Sequence, residues 1–152
     1  SHLYKISSIG LRFFTVYGPW GRPDMATFIF TKNILNGKPI NIFNYGKMKR
    51  DFTYVDDIIS GTKAALDKNY FCEIFNLGNH KSENLMDMLS ILEKELEIKA
   101  KIDFLPMQSG DIKETLADIS HSKKLLGFSP NVKLKDGISK FVDWYINFYK
   151  TK

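Results

Sequence analysis

A nearly uninterrupted apolar run close to the start of the sequence is the feature that most restricts the fold. Residues 10–16 read GLRFFTV, and the turn residues Gly18 and Pro19 follow almost at once. A run of aromatic and β-branched residues that ends at a turn is typical of a strand covered on both faces, as in a parallel sheet. The run therefore predicts the last strand of a parallel α/β unit.

The rest of the sequence predicts helices and strands in mixed order, without a repeat or a flexible linker. Turn residues 44–47 separate two apolar segments and predict a hairpin. Ser82 is the predicted N-cap of a long helix, and Leu66 falls on the predicted buried face of the helix that opens at Asp56. The predicted helices cover 27–36, 56 onward, 82–98, 120–126 and 134–149, and the predicted strands cover 40–43, 50–55, 72–77 and 101–105.

Composition excludes several classes of protein. The chain has 152 residues, of which 43% are hydrophobic and 14% aromatic, which supplies a core and excludes a disordered chain. Cys72 is the single cysteine and the histidines show no ligand spacing, so neither an internal disulfide nor a cysteine-based zinc site is expected. No apolar run approaches the ~18 residues of a membrane span, and a reducing cytoplasm is the default location.

Three loops combine cations, aromatic rings, glycines and carboxylates. Residues 15–25 follow the apolar strand, and ligands of open α/β sheets bind beyond the carboxyl ends of strands. Residues 43–52 lead into Arg50, whose planar fork matches phosphate oxygens, while aromatic faces stack on planar bases. Residues 108–111 carry a carboxylate that can accept hydrogen bonds from sugar hydroxyls. Because no G-x-G-x-x-G, Walker, H-E-x-x-H or G-x-S-x-G motif is present, these loops are the candidate sites.

Four segments resemble, in the same order, the nucleotide-sugar epimerases of the extended short-chain dehydrogenase/reductase family, also called the NAD-dependent epimerase/dehydratase family. Residues 11–26 (LRFFTVYGPWGRPDMA) are most similar to UDP-glucuronate 4-epimerases. Residues 49–57 (KRDFTYVDD) resemble the family's R-D-F-x-Y-V-x-D segment, and residues 75–78 (FNLG) its F-N-x-G strand. Residues 108–127, with Q-x-G-D, A-D and K-L-L-G, resemble its C-terminal signature.

This resemblance covers about residues 9–145 and implies an α/β fold. The chain is expected to be the C-terminal, substrate-binding part of an extended short-chain dehydrogenase/reductase. Residues 1–26 would be a remnant of the Rossmann domain and the substrate loop, and residues 27–152 a mixed α+β substrate-binding domain. In such a fragment the apolar side chains of Leu11, Phe13 and Phe14 are expected to be exposed.

The resemblance also implies a reaction and a cofactor. In these enzymes NAD accepts hydride from C4 of the sugar, a tyrosine takes the hydroxyl proton, and hydride returns to the other face of the 4-keto sugar. The resemblance implies an enzyme that interconverts UDP-glucuronate and UDP-galacturonate. Such an enzyme is expected to be a cytoplasmic homodimer that binds neither nucleic acid nor a membrane. No glycine-rich dinucleotide loop is present and no Tyr-x-x-x-Lys precedes residues 10–16. NAD is therefore assigned to an N-terminal domain outside these residues, no catalytic residue is assigned here, and the chain alone is expected to be inactive.

Contacts with the sugar are implied for three residues. Thr15 falls where related epimerases have asparagine or threonine near the sugar and diphosphate. Arg22 falls where the glucuronate enzymes place an arginine close to the sugar, although from the residues alone it could instead pair with Asp24 and stiffen the loop. Gln108 stands where many relatives have arginine, which removes one phosphate cation but fits the glucuronate subtype.

Contacts with the nucleotide are implied for four more residues. Asn41 and Phe43 match the strand that lines the uracil, Arg50 matches the arginine that grips the diphosphate, and Asp111 matches the acidic residue near the ribose. Independently of the resemblance, an arginine between a turn and an apolar strand is costly without an anionic partner. Both arguments select Arg50 as a binding residue.

Several residues have a structural alternative. Phe43 and Phe52 are each open between core packing and ligand contact. For Trp20, packing is favoured over contact with a ligand. For Asp56 and Asp57, a position at the start of a helix is favoured over a role in acid catalysis.

Other functions remain open. A 4,6-dehydratase or a decarboxylase would keep the family and change the reaction, and a UDP-sugar-binding module would lack catalysis. The net charge of +5 also admits nucleic-acid binding, but the basic residues are scattered and form no nucleic-acid-binding module, so a generally basic surface is favoured.

Overall fold

Eight short strands and five helices make up the fold in residues 1–151, which this computed structural model describes. The strands are β1 (Ser8–Phe13), β2 (Thr15–Tyr17), β3 (Ile40–Ile42), β4 (Lys49–Arg50), β5 (Phe52–Tyr54), β6 (Cys72–Leu77), β7 (Glu83–Asn84) and β8 (Ile102–Phe104). The helices are α1 (Ala26–Leu35), α2 (Val55–Leu66), α3 (Leu85–Leu96), α4 (Ser120–Leu126) and α5 (Leu134–Tyr149). All five predicted helices are therefore confirmed, α4 and α5 with the predicted bounds.

The apolar run at the start of the chain divides between two parallel strand pairs. β1 pairs with β6 and β2 pairs with β5, both in parallel. The change occurs at Phe14, whose amide donates to the Leu77 carbonyl at 3.3 Å, while the next amide, of Thr15, donates to the Asp51 carbonyl at 3.1 Å. The parallel arrangement predicted for this segment is confirmed.

Coverage on both faces is not found for β1. Phe13 is 52% exposed and Ile74 of the neighbouring β6 is 53% exposed, while Leu11 and Phe14 are half-buried. The expected exposure of this face is thus confirmed for Phe13. The physical reason is that β6 is the one strand paired with β1 among the described residues, so no wider sheet surrounds it.

The predicted hairpin between the third and fourth apolar segments is wrong. β3 instead pairs in parallel with β8, and β4 pairs antiparallel with β7. Between β3 and β4 lies a 3-10 segment, Phe43–Gly46, in which Asn44 and Tyr45 have left-handed φ values of 50° and 51°. The Tyr45 amide donates to the carbonyl of Leu105, the residue after β8, at 3.1 Å, so the turn is held by this distant segment and does not fold the chain back on itself.

Two details at helix ends also differ from prediction. α3 begins at Leu85 with Asn84 at the N-cap position, because Asn84 pairs with Lys49 of β4 as part of β7 and keeps that stretch extended. Ser82 is therefore not the N-cap. Leu66 is 80% exposed, because the buried side of α2 is formed by Ile58, Gly61 and Ala65 and Leu66 lies about 100° around the helix from Ala65.

The buried side chains form two clusters. The larger one is built from α1, α3 and α5 packed on β3 and β5, with Phe28, Phe30, Ile34, Ile40, Ile42, Phe52, Met88, Leu89, Leu92, Ile138 and Phe141 among its members. The smaller one joins α2, α4 and β6, through Ile58, Ala65, Phe75, Leu77, Ala117, Ile119, Leu126 and Phe128, and half-buried side chains of β1 pack on it. A division of the chain at residue 26 remains a prediction.

Substituting alanine for Gly137 is expected to destabilise the protein by about 2 kcal/mol, as overpacking does. At an open helical site this change stabilises by up to about 1 kcal/mol. Here a Cβ would collide with the Tyr17 hydroxyl and lie 2.9 Å from Cδ2 of Tyr54. Tyr17 cannot retreat, because it is buried and its hydroxyl donates to the Leu134 carbonyl at 3.4 Å; burial also raises the pKa of this hydroxyl.

Urea unfolding of the purified protein measures this cost. Lys135→Ala, an exposed substitution in the same helix, is the control and should be within about 0.5 kcal/mol of the unmodified protein. A Gly137→Ala protein as stable as that control would show that α5 can move away from Tyr17.

Candidate substrate-binding site

A cavity of about 410 Å³ opens between α1, β3 and β4. Its apolar wall is formed by Met25, Ile29, Phe30, Met48, Phe52 and Leu85. Five of the seven residues predicted to bind substrate also line it: Thr15, Asn41, Phe43, Arg50 and Asp111. Residues up to 96 positions apart in the sequence (15 to 111) are therefore gathered around one space, which combines an apolar surface with a few polar groups, as ligand cavities do.

Arg50 is held rigidly in the cavity wall. Its Nη2 donates to Oδ1 of Asp111 at 2.8 Å and its Nη1 donates to the Lys49 carbonyl at 2.8 Å. The Arg50 side chain is 19% exposed and the Asp111 side chain 31% exposed. The anionic partner that this arginine requires is thus present in the fold. Because a guanidinium has five N–H donors, some remain for an anion bound in the cavity.

Asp111 is placed by its own loop as well as by Arg50. Oδ1 of Asp111 also accepts a hydrogen bond from the Ile112 amide at 2.8 Å, and the Asp111 amide donates to the Gln108 carbonyl at 3.3 Å. This closes a turn through Gly110, whose φ is 82°, a value that favours glycine. One carboxylate oxygen, Oδ2, has no partner among the described residues and can accept from a ligand.

The alternation of β3 explains the orientation of Asn41. Its neighbours Ile40 and Ile42 are completely buried in the larger cluster, so Asn41 faces the opposite side of the strand and lines the cavity. Phe43, the first residue after β3, is half-buried and also lines the cavity. Phe52 touches the cavity too, but at 2% exposure it belongs to the core. Core packing is thus confirmed for Phe52, while ligand contact by Phe43 remains a prediction.

Arg22 and Gln108 do not lie on the cavity wall. Arg22 pairs with Asp24 through Nε–Oδ1 at 3.1 Å and Nη2–Oδ2 at 2.5 Å, and both side chains are largely exposed. The hydrogen bond from Arg22 lowers the pKa of the Asp24 carboxyl. Asp24 itself lines the cavity, so Arg22 is connected to the cavity wall through its ion pair with Asp24. Gln108 is exposed on the loop that carries Asp111. Substrate contacts for both residues remain predictions.

Asp51 is a structural residue that the sequence reasoning did not single out. It is completely buried. Its Oδ1 accepts from the Asn79 amide at 2.6 Å and from Oγ1 of Thr53 at 3.0 Å, and its Oδ2 accepts from the Ala117 amide at 3.0 Å. The carboxylate thus ties the strand that carries Arg50 to two distant loops. The sequence signal that could have identified Asp51 is its place inside a predicted apolar strand, because an acidic side chain needs hydrogen-bond partners when it is buried.

Asp57 has a comparable role at the start of α2. It is buried, and its carboxylate accepts from the amides of Asn131 at 3.2 Å and Val132 at 3.1 Å. The interpretation of Asp57 as a helix-start residue is confirmed, with the addition that it holds the segment leading to α5.

The Tyr-x-x-x-Lys spacing at residues 45–49 has no catalytic geometry. Tyr45 and Lys49 have this spacing, but Tyr45 lies in the 3-10 segment with a left-handed φ of 51°, and Lys49 lies in β4. Within a helix this spacing places the two side chains one above the other on the same face. No continuous helix joins Tyr45 to Lys49, so these residues are not a substitute for the catalytic pair.

The described residues form neither a cluster of metal ligands nor a helix suited to crossing a membrane. In the part of the chain that the structure describes, no three His, Cys, Asp or Glu side chains lie together as metal ligands would. None of the helices within residues 1–151 combines the length and the apolar character that a membrane crossing requires.

Sequence comparison finds relatives across almost the whole chain. An uncharacterized protein of Methanocaldococcus jannaschii is 54% identical over 145 residues, which cover 95% of this chain and 44% of that protein. UDP-glucuronate 4-epimerase 4 of Arabidopsis thaliana is 46% identical over 166 residues, covering 98% of this chain and 38% of that enzyme. The chain therefore spans less than half the length of these curated relatives.

Comparison with solved structures supports the fold. A mutant of UDP-glucuronic acid 4-epimerase from Bacillus cereus, in complex with UDP-4-deoxy-4-fluoro-glucuronic acid and NAD, matches with a TM-score of 0.90 and 43% identity. The match covers 97% of this chain and 48% of that one. The fold is thus that of half of an extended short-chain dehydrogenase/reductase, as predicted.

A family model matches the first half of the chain. The model describes the NAD dependent epimerase/dehydratase family and aligns with residues 1–78, which include β1, β2, the Gly-Pro loop and the strands around Arg50. Together with the relatives and the fold, this match shows that the chain belongs to the NAD dependent epimerase/dehydratase family.

Proposed function

We propose that this chain is the substrate-binding part of an NAD-dependent UDP-sugar 4-epimerase that interconverts UDP-glucuronate and UDP-galacturonate through a 4-keto sugar. The observation that carries the proposal is the cavity, where Thr15, Asn41, Phe43, Arg50 and Asp111 meet. Their arrangement supplies an aromatic ring, one cation and hydrogen-bonding groups, which suits a base, a diphosphate and sugar hydroxyls. The similarity to UDP-glucuronate 4-epimerases supports glucuronate as the sugar.

Each of these residues then has a defined part. Phe43 and Asn41 receive the uracil, Arg50 neutralises the diphosphate, and Asp111 accepts from the ribose. Thr15 is proposed to contact the sugar and the diphosphate, and Arg22 and Gln108, which do not line the cavity, are proposed as further substrate contacts. Their common effect is to hold the sugar in one orientation, which lowers the entropic part of the barrier.

The residues of this chain do not fit the dinucleotide itself. NAD pyrophosphate is held by a glycine-rich loop at a helix N-terminus, and residues 1–152 contain no such segment. In the proposed enzyme NAD supplies the hydride chemistry and is bound outside these residues. A homodimeric assembly and a cytoplasmic location complete the proposal.

Turnover by the intact protein tests the proposed function. Incubation with UDP-glucuronate and NAD should yield UDP-galacturonate, detected by chromatography of the nucleotide sugars, while the 152-residue chain alone should yield none. Formation of a decarboxylated or dehydrated sugar instead would assign the site to another reaction of the family.

Replacing Arg22 with alanine in the intact protein is expected to change substrate choice. Glucuronate differs from glucose by a carboxylate at C6, so loss of a nearby cation should lower kcat/KM about tenfold more for UDP-glucuronate than for UDP-glucose. Steady-state kinetics with both sugars measure the difference. Lys32→Ala, which removes an exposed cation from α1, is the control. Equal losses for both sugars would limit Arg22 to stiffening the loop through Asp24.

A further inference from the structure

Trp20 occupies an unusual place in the loop that follows β2. The Gly21 amide donates to the Gly18 carbonyl at 3.2 Å and closes a turn in which Pro19 and Trp20 are the central residues. Trp20 has a φ of 61°, at the turn position where glycine is usual. A large side chain that adopts this backbone conformation needs contacts elsewhere that compensate for the strain.

The compensating contacts come from α5. The Trp20 ring is 5.4 Å from that of Trp144 and 4.7 Å from that of Phe148, in tilted and edge-to-face arrangements that aromatic pairs favour. These contacts persist although Trp20 is 73% exposed overall. Phe141 and Tyr145, on the same helix, are buried in the larger cluster, so the surface that meets Trp20 is anchored in the core. The predicted packing contacts of Trp20 are thus present, while the preference for packing over ligand contact remains a prediction.

The other end of the turn is also anchored. A Cβ on Gly18 would lie 2.6 Å from Cγ1 of Val55, so the backbone of Gly18 packs directly against the start of α2. The turn is therefore held at Gly18 by backbone packing and at Trp20 by tilted and edge-to-face ring contacts.

The residues after the turn border the cavity. Arg22 and Asp24 form their ion pair here, the Met25 amide donates to the Arg22 carbonyl at 3.2 Å, and α1 begins at Ala26. Asp24 and Met25 line the cavity. The direction in which the chain leaves the turn thus determines where the Arg22–Asp24 pair stands.

We infer that Trp20 is a positioning residue: the packing of its ring against Trp144 and Phe148 fixes the turn and so holds the Arg22–Asp24 pair at the sugar end of the cavity. The inference rests on the proposed function, in which that end receives the glucuronate. Nucleotide binding in the proposed function depends on β3, β4 and the Asp111 loop, whereas the aromatic partners of Trp20 are on α5. Loss of these ring contacts should therefore affect the sugar and spare the nucleotide.

Calorimetric titration of the intact protein with UDP and with UDP-glucuronate separates the two parts of the ligand. Trp20→Gly removes the ring, and glycine adopts the positive φ of this position without strain. Phe148→Ala removes one of the two rings that Trp20 contacts, at an exposed position outside the loop. Each should weaken UDP-glucuronate binding about tenfold and change UDP binding by less than about twofold, since small displacements of a positioning group have effects of this size. Trp20→Phe, which keeps a ring, should restore most of the affinity.

Three results would overturn the assignment. One is an equal loss of affinity for UDP and UDP-glucuronate in Trp20→Gly, another is unchanged UDP-glucuronate binding in Phe148→Ala, and the third is a Trp20→Phe protein as weak as Trp20→Gly. Failure of the unmodified protein to bind either ligand would overturn the proposed function, and this assignment with it.

Discussion

Replacing Asp51 with asparagine is expected to destabilise the protein by about 3 kcal/mol. The carboxylate accepts from the amides of Asn79 and Ala117 and from the Thr53 hydroxyl, entirely out of contact with solvent. An asparagine has one acceptor oxygen instead of two and turns N–H donors toward a backbone N–H. One buried amide then loses its acceptor, and the network joining β5 to the loops at 79 and 117 is broken.

Chemical denaturation measures this loss directly. Asp56→Asn makes the same chemical change at the exposed first turn of α2 and should cost less than about 0.5 kcal/mol. Thr53→Val removes a single donor from the same carboxylate and should cost about 1 kcal/mol. If Asp51→Asn proved no more destabilising than Asp56→Asn, the carboxylate would not be a structural centre of the fold.

Replacing Arg50 with alanine in the intact protein is expected to weaken UDP binding about 30-fold, which corresponds to about 2 kcal/mol for a charge-assisted contact. The pair with Asp111 at 2.8 Å adds to the effect, because removal of the guanidinium leaves an uncompensated carboxylate beside the incoming diphosphate. Binding of NAD should be nearly unchanged, since this chain contains no dinucleotide loop.

Lys49→Ala is the matched control for this substitution. Lys49 carries the same charge on the same strand, but its side chain is half exposed, 4.0 Å from Glu114, and does not line the cavity. Calorimetry with UDP should show little change for this variant. Unchanged UDP affinity in Arg50→Ala, or an equal loss in Lys49→Ala, would make Arg50 a structural residue and place the diphosphate elsewhere.

The helices were largely predictable because their signals are local. The stripe of Leu134, Ile138, Phe141 and Val142 repeats at helical spacing, and α5 has the predicted bounds. Periodicity and turn residues act over a few positions, so the sequence alone identified each helix and most of the strands. The family motifs likewise named five residues that meet in one cavity.

Strand pairing was not predictable in the same way, because it joins segments that are distant in the sequence. Asn44 to Lys47 had the composition of a hairpin turn, yet β3 pairs with β8, about 60 positions later. A turn sequence limits the local backbone path, whereas the partner of a strand is decided by which buried faces can pack together.

The sequence by itself therefore determined the family and the helices, and it predicted a set of candidate substrate-binding residues. Only the tertiary structure decided how those residues are engaged: Arg50 with Asp111, Arg22 with Asp24, and Asp51 with amides 28 and 66 positions away. The physical reason is that side-chain type sets what a group can bind, while its actual partner depends on three-dimensional proximity and on the need to satisfy each buried polar atom.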